Sequence, residues 1–123
     1  MIHFARGLKV FICTEPTDMR RSFDGLSGMV QTTLKLDPLS GHLFLFRNRT
    51  RDAIKILYWD GDGLALWYKR LEQGTFQFPT DVCSERPQAS GVEISEGELT
   101  LLLSGIDLTS VKRRKRYEHK PVA

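Results

Sequence analysis

The tetrapeptide Asp60-Gly61-Asp62-Gly63 constrains the fold of this chain more than any other segment, because of what flanks it. Before it, residues 53–59 place Ile54, Ile56 and Tyr58 on one face and Lys55, Leu57 and Trp59 on the other. After it, residues 64–71 divide in the same way, Leu64, Leu66 and Tyr68 against Ala65, Trp67, Lys69 and Leu71. Gly and Asp tolerate the positive φ of a tight reversal, so the three segments together predict a β-hairpin. Leu43-Phe44-Leu45-Phe46 is apolar at every position, the pattern of a strand covered on both faces. Thr75-Phe76-Gln77-Phe78, opened by Gly74 and closed by Pro79, is expected to be a further strand of an antiparallel meander. Residues 8–13 predict a first strand, and Gly91-Val92-Glu93-Ile94 a short late one.

Two helices are expected beside these strands. Met19, Phe23, Leu26, Val30 and Leu34 form one stripe at 100° per residue, with Arg21, Asp24, Gly28 and Lys35 opposite and Thr17 or Asp18 as the cap. Ser95-Glu96-Gly97-Glu98 is a capping box, followed by Leu99, Leu102, Leu103 and Ile106 at helical spacing and by Gly105 as a stop. Residues 79–91, with two prolines and no periodicity, are expected to be a surface loop, a candidate for mobility or partner contact. The fold class is therefore α+β: a four- to five-stranded antiparallel sheet, arranged as a meander, with two main helices packed on it. Residues 1–109 are expected to make one domain, and residues 110–123 a flexible basic tail.

Composition and charge narrow the function classes. An apolar share of 41% and a charged share of 27% are globular values and argue against disorder. Apolar runs fall far short of the roughly 20 residues of a membrane helix. The first dozen residues carry His3, Arg6 and Lys9 where a signal peptide has an apolar segment, so a cytoplasmic protein is expected. Cys13 and Cys83 allow one disulfide at most, which excludes a disulfide-dense scaffold. The net charge of +3 is unevenly spread. Six basic residues, including Lys112, Arg113, Arg114, Lys115 and Arg116, stand against one acid after residue 109, leaving 12 basic and 14 acidic groups in the body. A terminal block of that kind suits a polyanion such as nucleic acid.

Catalytic patterns are weak. Asp60 and Asp62 have the spacing to share a Mg²⁺ ion, but a hairpin turn asks for the same residues. Nothing in the spacing brings Asp60 to Lys55 and Glu72 as a nuclease-like cluster. Cys13 reads as a small buried thiol, His3, His42 and His119 are scattered, and no phosphate-cradling glycine loop is present. Neither enzymatic activity nor a cofactor, metal or small-molecule substrate is expected.

Nucleic-acid contact has more support. Arg47, Arg49 and Arg51 recur at two-residue spacing, so an extended backbone would aim all three the same way, and guanidinium forks fit phosphate oxygens and guanine edges. Lys55, Lys69 and Arg70 lie on the adjoining strands, interleaved with Tyr58, Trp59, Trp67 and Tyr68, an alternation that can hold phosphates and stack bases. The plainer reading makes the aromatics core and the charges a solvated edge.

Longer stretches carry a resemblance. Pro16-Thr17-Asp18-Met19-Arg20, Phe23-Asp24-Gly25-Leu26, Ser40-Gly41-His42-Leu43-Phe44 and Phe46-Arg47-Asn48-Arg49 are its opening motifs. It is densest in Ile54-Lys55-Ile56-Leu57-Tyr58-Trp59-Asp60-Gly61-Asp62-Gly63 and Leu66-Trp67-Tyr68-Lys69-Arg70-Leu71-Glu72, and ends at Leu102-Leu103-Ser104-Gly105-Ile106-Asp107. Together they resemble the small second-frame accessory protein, often called TnpB, of insertion-sequence-sixty-six elements. It is not the RNA-guided nuclease of the same name. The resemblance implies a part in DNA transposition and recombination beside a larger transposase that performs strand transfer, and it supplies no catalytic residues. Phe78-Pro79 departs from the usual Trp-Pro, and the basic tail lies beyond the shared motifs. The expectation is a non-catalytic accessory factor that binds DNA at element ends with its transposase. The alternative is a protein-interaction module that binds the transposase without touching DNA.

Overall fold

The computed structural model describes residues 7–81 and 91–105. Five strands, β1 (Val10–Cys13), β2 (Leu43–Arg47), β3 (Ala53–Trp59), β4 (Leu64–Arg70) and β5 (Gly91–Ile94), join into one sheet in the order β4-β3-β2-β1-β5. Helix α1 (Phe23–Thr32) lies between β1 and β2, and α2 (Glu96–Ser104) follows β5. The architecture is α+β, as expected, but the sheet is mixed. β1 and β2 run parallel, Val10 opposite Leu43, whereas every other neighbouring pair is antiparallel. Parallel neighbours need a crossover of a dozen or more residues, and the α1 connection supplies it. The meander is therefore confined to β2, β3 and β4.

The predicted strand at residues 75–78 is absent. Phe76 and Phe78 are fully buried, so the alternation is real, but the backbone bonds go elsewhere. The Phe76 N–H donates to the Arg51 carbonyl at 2.7 Å, the Phe76 carbonyl accepts from Arg47, and the Phe78 N–H donates to the Asp81 carboxylate. A single 3-10 turn follows at Pro79–Asp81, within the expected loop. The remainder of that loop, Cys83, Ile106 and the whole basic tail lie outside the described residues.

Alternation along the strands builds two cores. Val10, Ile12, Leu43, Leu45, Ile54 and Ile56 face α2, whose Leu99 and Leu102 they meet together with Phe76 and Phe78. Cys13, Phe44, Phe46 and Leu57 face α1, meeting Leu26, Val30 and Leu34. The helix at residues 96–104 has its full capping box: Ser95 Oγ accepts from the Glu98 N–H and Glu98 Oε1 from the Ser95 N–H, both at 3.0 Å. Gly105 closes it in the left-handed conformation, φ 84°.

Helix α1 starts later than its apolar stripe suggests. Its cap is Ser22, with no side-chain bond, and Phe23 remains 42% exposed. Two competing uses of the preceding backbone explain the delay. Asp18 gives its carboxylate to the Arg20 N–H and guanidinium, and Lys55 Nζ donates to the carbonyls of Met19 at 2.7 Å and Arg21 at 2.8 Å. Those are carbonyls that an earlier helix would need for its own i→i+4 ladder. In the hairpin the Asp60 N–H donates to the Gly63 carbonyl at 2.8 Å, and Gly61 takes the positive φ of 80°. Gly63 stays outside the left-handed region.

Candidate nucleic-acid interface

One end of the sheet gathers the basic side chains. β2 and β3 are joined there by residues 48–52, and β4 finishes beside them with Lys69 opposite Ile54 and Arg70 opposite Ala53. The connection is a compact turn whose backbone is held by its own side chains. Asn48 Oδ1 accepts from the Ala53 N–H at 3.0 Å, while Asn48 Nδ2 and Thr50 Oγ1 donate to Asp52 at 2.6 and 2.7 Å. Those two donors hold the Asp52 carboxyl below the ordinary carboxylate range. Arg51 sits in the left-handed conformation, φ 64°, and its carbonyl receives Phe76.

This turn overturns the expectation that Arg47, Arg49 and Arg51 point the same way. The backbone leaves the extended region after Arg47, so two-residue spacing no longer sets direction. Arg47 is the last residue of β2 and continues the face of Leu43 and Leu45 into the α2-side core, 7% exposed. Its guanidinium lies 4.0 Å over the Phe78 ring and grips Asp81 with two bonds, at 2.7 and 3.0 Å, and the Phe76 carbonyl at 2.9 Å. Burial pushes the Asp81 carboxyl up. The bond from Arg47, the Phe78 N–H and the charges of Arg47 and Arg51 outweigh that and hold it below its usual range. Arg47 is thus a buried structural clamp, turned away from the surface where a ligand would bind.

Lys55 is likewise removed from the candidate surface. It is 7% exposed, bonded to two carbonyls of the 19–21 segment and set 4.8 Å from the Tyr68 ring centroid. Two acceptors and a π face satisfy a three-donor ammonium without any carboxylate. Its position between Ile54 and Ile56 in an otherwise apolar run is the sequence signal for this inward role. The aromatics divide too: Tyr58 and Trp67 pack against the α2-side core, while Tyr68 is 50% exposed on the other face.

Arg49, Arg51, Lys69 and Arg70 remain at the surface of this end. Arg51 approaches Asp81 at 3.7 Å, whereas Arg49, Lys69 and Arg70 form no ion pair among the described residues. Arg21 was missed by the sequence reading, which placed it on the outer face of the helix. It precedes the helix, and the carbonyl bond from Lys55 fixes its backbone. With Arg49 it borders an open groove of about 1000 Å³ between the 15–19 segment, α1 and the 48–50 turn. Asp18 and Asp24 line the same groove, and Gly25 and Gly28 form part of its helical wall. The Arg20 fork holds the Asp18 carboxyl down at about 2.

Asp60 lies at the opposite end of the sheet from Glu72, which follows β4, and Lys55 is bound beneath the 19–21 segment. The geometry therefore does not assemble the acid–lysine cluster. Among the described residues, no three His, Cys, Asp or Glu side chains gather as metal ligands. Cys13 is a buried thiol whose Sγ donates to the Glu15 carbonyl, and burial pushes it up. No described helix is long and apolar enough to cross a membrane.

The family model described as IS66 Orf2 like protein matches residues 8–113, which takes in the sheet, both helices and the basic turn. The chain belongs to that family. Two relatives from Sinorhizobium fredii are each 40% identical: the uncharacterized protein y4jC over 115 residues, covering 93% of this chain and 92% of the relative, and the uncharacterized protein y4hO over 107, covering 87% and 88%. No solved structure matches the chain. Membership in the IS66 Orf2-like family supports an accessory role associated with transposition and not that of a known enzyme. The match also runs into the first residues of the basic tail, through Lys112 and Arg113.

Proposed function

We propose that this IS66 Orf2-like protein is a cytoplasmic, non-catalytic accessory factor that binds DNA at element ends together with a larger transposase. The observation that carries the reading is the convergence of Arg49, Arg51, Lys69 and Arg70 on one end of the sheet, three of them without an ion pair among the described residues. Such side chains fit a phosphate backbone, and the tail cations Lys112 to Arg116 add sequence-independent attraction. The test is binding of the full chain to the element's terminal DNA across a salt series, with and without its transposase. Four or five phosphate contacts from the tail give a slope of log K against log salt of about −4, which truncation at residue 110 removes. Replacing Arg49 and Arg51 takes away a smaller, separate share. The reading fails if the full chain, with or without transposase, shows no salt-dependent DNA binding.

A second reading, an interaction module that binds the transposase alone, is favoured by the mixed lining of the groove beside α1. Asp18 and Asp24 facing Arg21 and Arg49 suit a polypeptide better than a polyanion. Gly28 lines the groove and a Cβ there meets nothing within 4 Å, so Gly28→Gln places a side chain at the groove wall. Loss of transposase binding in that variant, with DNA binding unchanged, selects this reading.

A further inference from the structure

We propose that the outer edge of β4 is a self-pairing surface, along which two copies of the chain join antiparallel about a two-fold axis at Leu66 into one continuous sheet. β4 is the terminal strand of the sheet, and its outer edge has no strand partner among the described residues. It pairs with β3 at all seven positions in unbroken register, without a bulge. Residues 64–68, Leu-Ala-Leu-Trp-Tyr, carry no charge and no proline, so the devices that protect natural edges begin only at Lys69. Tyr68 is 50% exposed, and residues 64–67 are only half-buried.

The hydrogen-bond pattern decides which residues are offered to a partner. The Asp60 N–H donates to Gly63, and the Leu71 N–H to Asp52, so 60–63 and 52–71 are bonded pairs of the antiparallel ladder. Bonded and non-bonded pairs alternate along such a ladder. The odd-numbered residues of β4 therefore bond to β3, and Leu64, Leu66, Tyr68 and Arg70 turn their backbone N–H and C=O groups outward.

An antiparallel partner must match outward residue to outward residue, and charge selects the register. With the axis at Leu66, Leu66 faces its own copy, Tyr68 faces Leu64, bulky Trp67 faces Ala65, Lys69 faces Gly63 and Arg70 faces Asp62. With the axis at Trp67, the two Trp67 rings oppose each other, Arg70 faces Leu64, and Glu72 is brought against Asp62. The first register pairs large with small residues and the cationic end of each strand with the carboxylate turn of the other. That complementarity identifies the occupant as a second copy of this chain. Arg49 and Arg51, on the turn between β2 and β3, stay clear of the seam.

Sedimentation velocity of the full chain over a concentration series tests the proposal, with circular dichroism as the folding control. A monomer–dimer equilibrium is expected. Tyr68→Pro removes an outward N–H, one cross-seam contact and the ring beside Lys55, while keeping every backbone hydrogen bond to β3, and it should raise the dimer dissociation constant at least about tenfold. Arg70→Asp and Asp62→Arg should each weaken the dimer by roughly tenfold, because the symmetry repeats each loss. The two together should restore it. This trio stands independently should Tyr68→Pro fail to fold. A monomer at every concentration, a dimer indifferent to these substitutions, or charge swaps that do not rescue each other overturns the proposal.

Discussion

The two ends of the sheet solve the same problem, reversing the chain between adjacent strands, with opposite means. At the hairpin end, residues 60–63 close through a backbone bond between Asp60 and Gly63, and Gly61 alone takes a left-handed φ. Asp60 and Asp62 stand in solvent. At the other end, residues 48–52 are bound by Asn48, Thr50 and Asp52, and the Arg51 carbonyl reaches the Phe76 backbone. The Arg47–Asp81 pair then ties that region to the 76–81 segment. One reversal is set by glycine, the other by a side-chain network. A turn built from side chains holds its neighbours in fixed places, which makes its exposed cations a surface where the hairpin offers only a bend.

The largest effect is expected at Asp81. Its side chain is 16% exposed and that of Arg47 8%, so Asp81→Ala leaves a shielded guanidinium without its carboxylate, which costs about 3–5 kcal/mol in a urea melt. Replacing both, as Arg47→Met with Asp81→Leu, should cost much less, because no charge is stranded. A double-mutant cycle separates the two cases. The pair also sets an acid limb. Because the Asp81 carboxyl lies lower in the fold than in the unfolded chain, its contribution is complete above the ordinary value of about 3.9 and is lost as pH falls through the depressed one. Asp81→Asn should flatten that limb.

At the hairpin the effect is smaller and confined to the backbone. Gly61→Val forces a β-branched residue to φ 80° and should cost about 1–3 kcal/mol. A Cβ at Gly63 meets nothing within 4 Å and Gly63→Val needs no left-handed φ, and Asp62→Asn keeps the turn chemistry. Both should stay within about 0.5 kcal/mol of the parent in thermal melts.

Much of this contrast was legible in the residues. The hairpin, the capping box at Ser95, the fully covered β2 and the split faces of β3 all follow from local pattern, and the structure has each of them. What was not legible depends on partners far along the chain. Asp81 lies 34 residues from Arg47, and nothing near Arg47 announces that its fork is taken. The carbonyls that Lys55 captures are 34 and 36 residues away, and their capture also explains why α1 begins after Ser22. The parallel pairing of β1 with β2 depends on where the α1 crossover returns the chain, which alternation along either strand does not record. Phe76 and Phe78 alternate as a strand would, yet their backbone partners are a turn and a carboxylate. Period-two patterning reports which side chains are buried, and the ladder is a separate fact.

The finest test of the contrast lies at Arg51, where charge and backbone strain coincide. A non-glycine residue at φ 64° carries a cost of roughly 1–2 kcal/mol, offset here by the bonds that lock the 48–52 turn. Arg51→Gly removes the side chain and the strain together. Its loss includes a contact to Asp81 at 3.7 Å from a guanidinium that is 54% exposed, a weak pair of at most about 1 kcal/mol. Stability should therefore stay level or rise by up to about 1 kcal/mol, the reverse of the outcome for glycine replacement in a strand. If the basic end binds phosphate, DNA affinity should fall in the same variant, and the salt slope should shrink by about 1. Arg51→Ala should lose the same binding increment while keeping the strain. Equal DNA loss with unequal stability in the two variants would place Arg51 on the interface as a charge held by the turn. Unchanged binding in both would leave the clamped end of the sheet as scaffold alone.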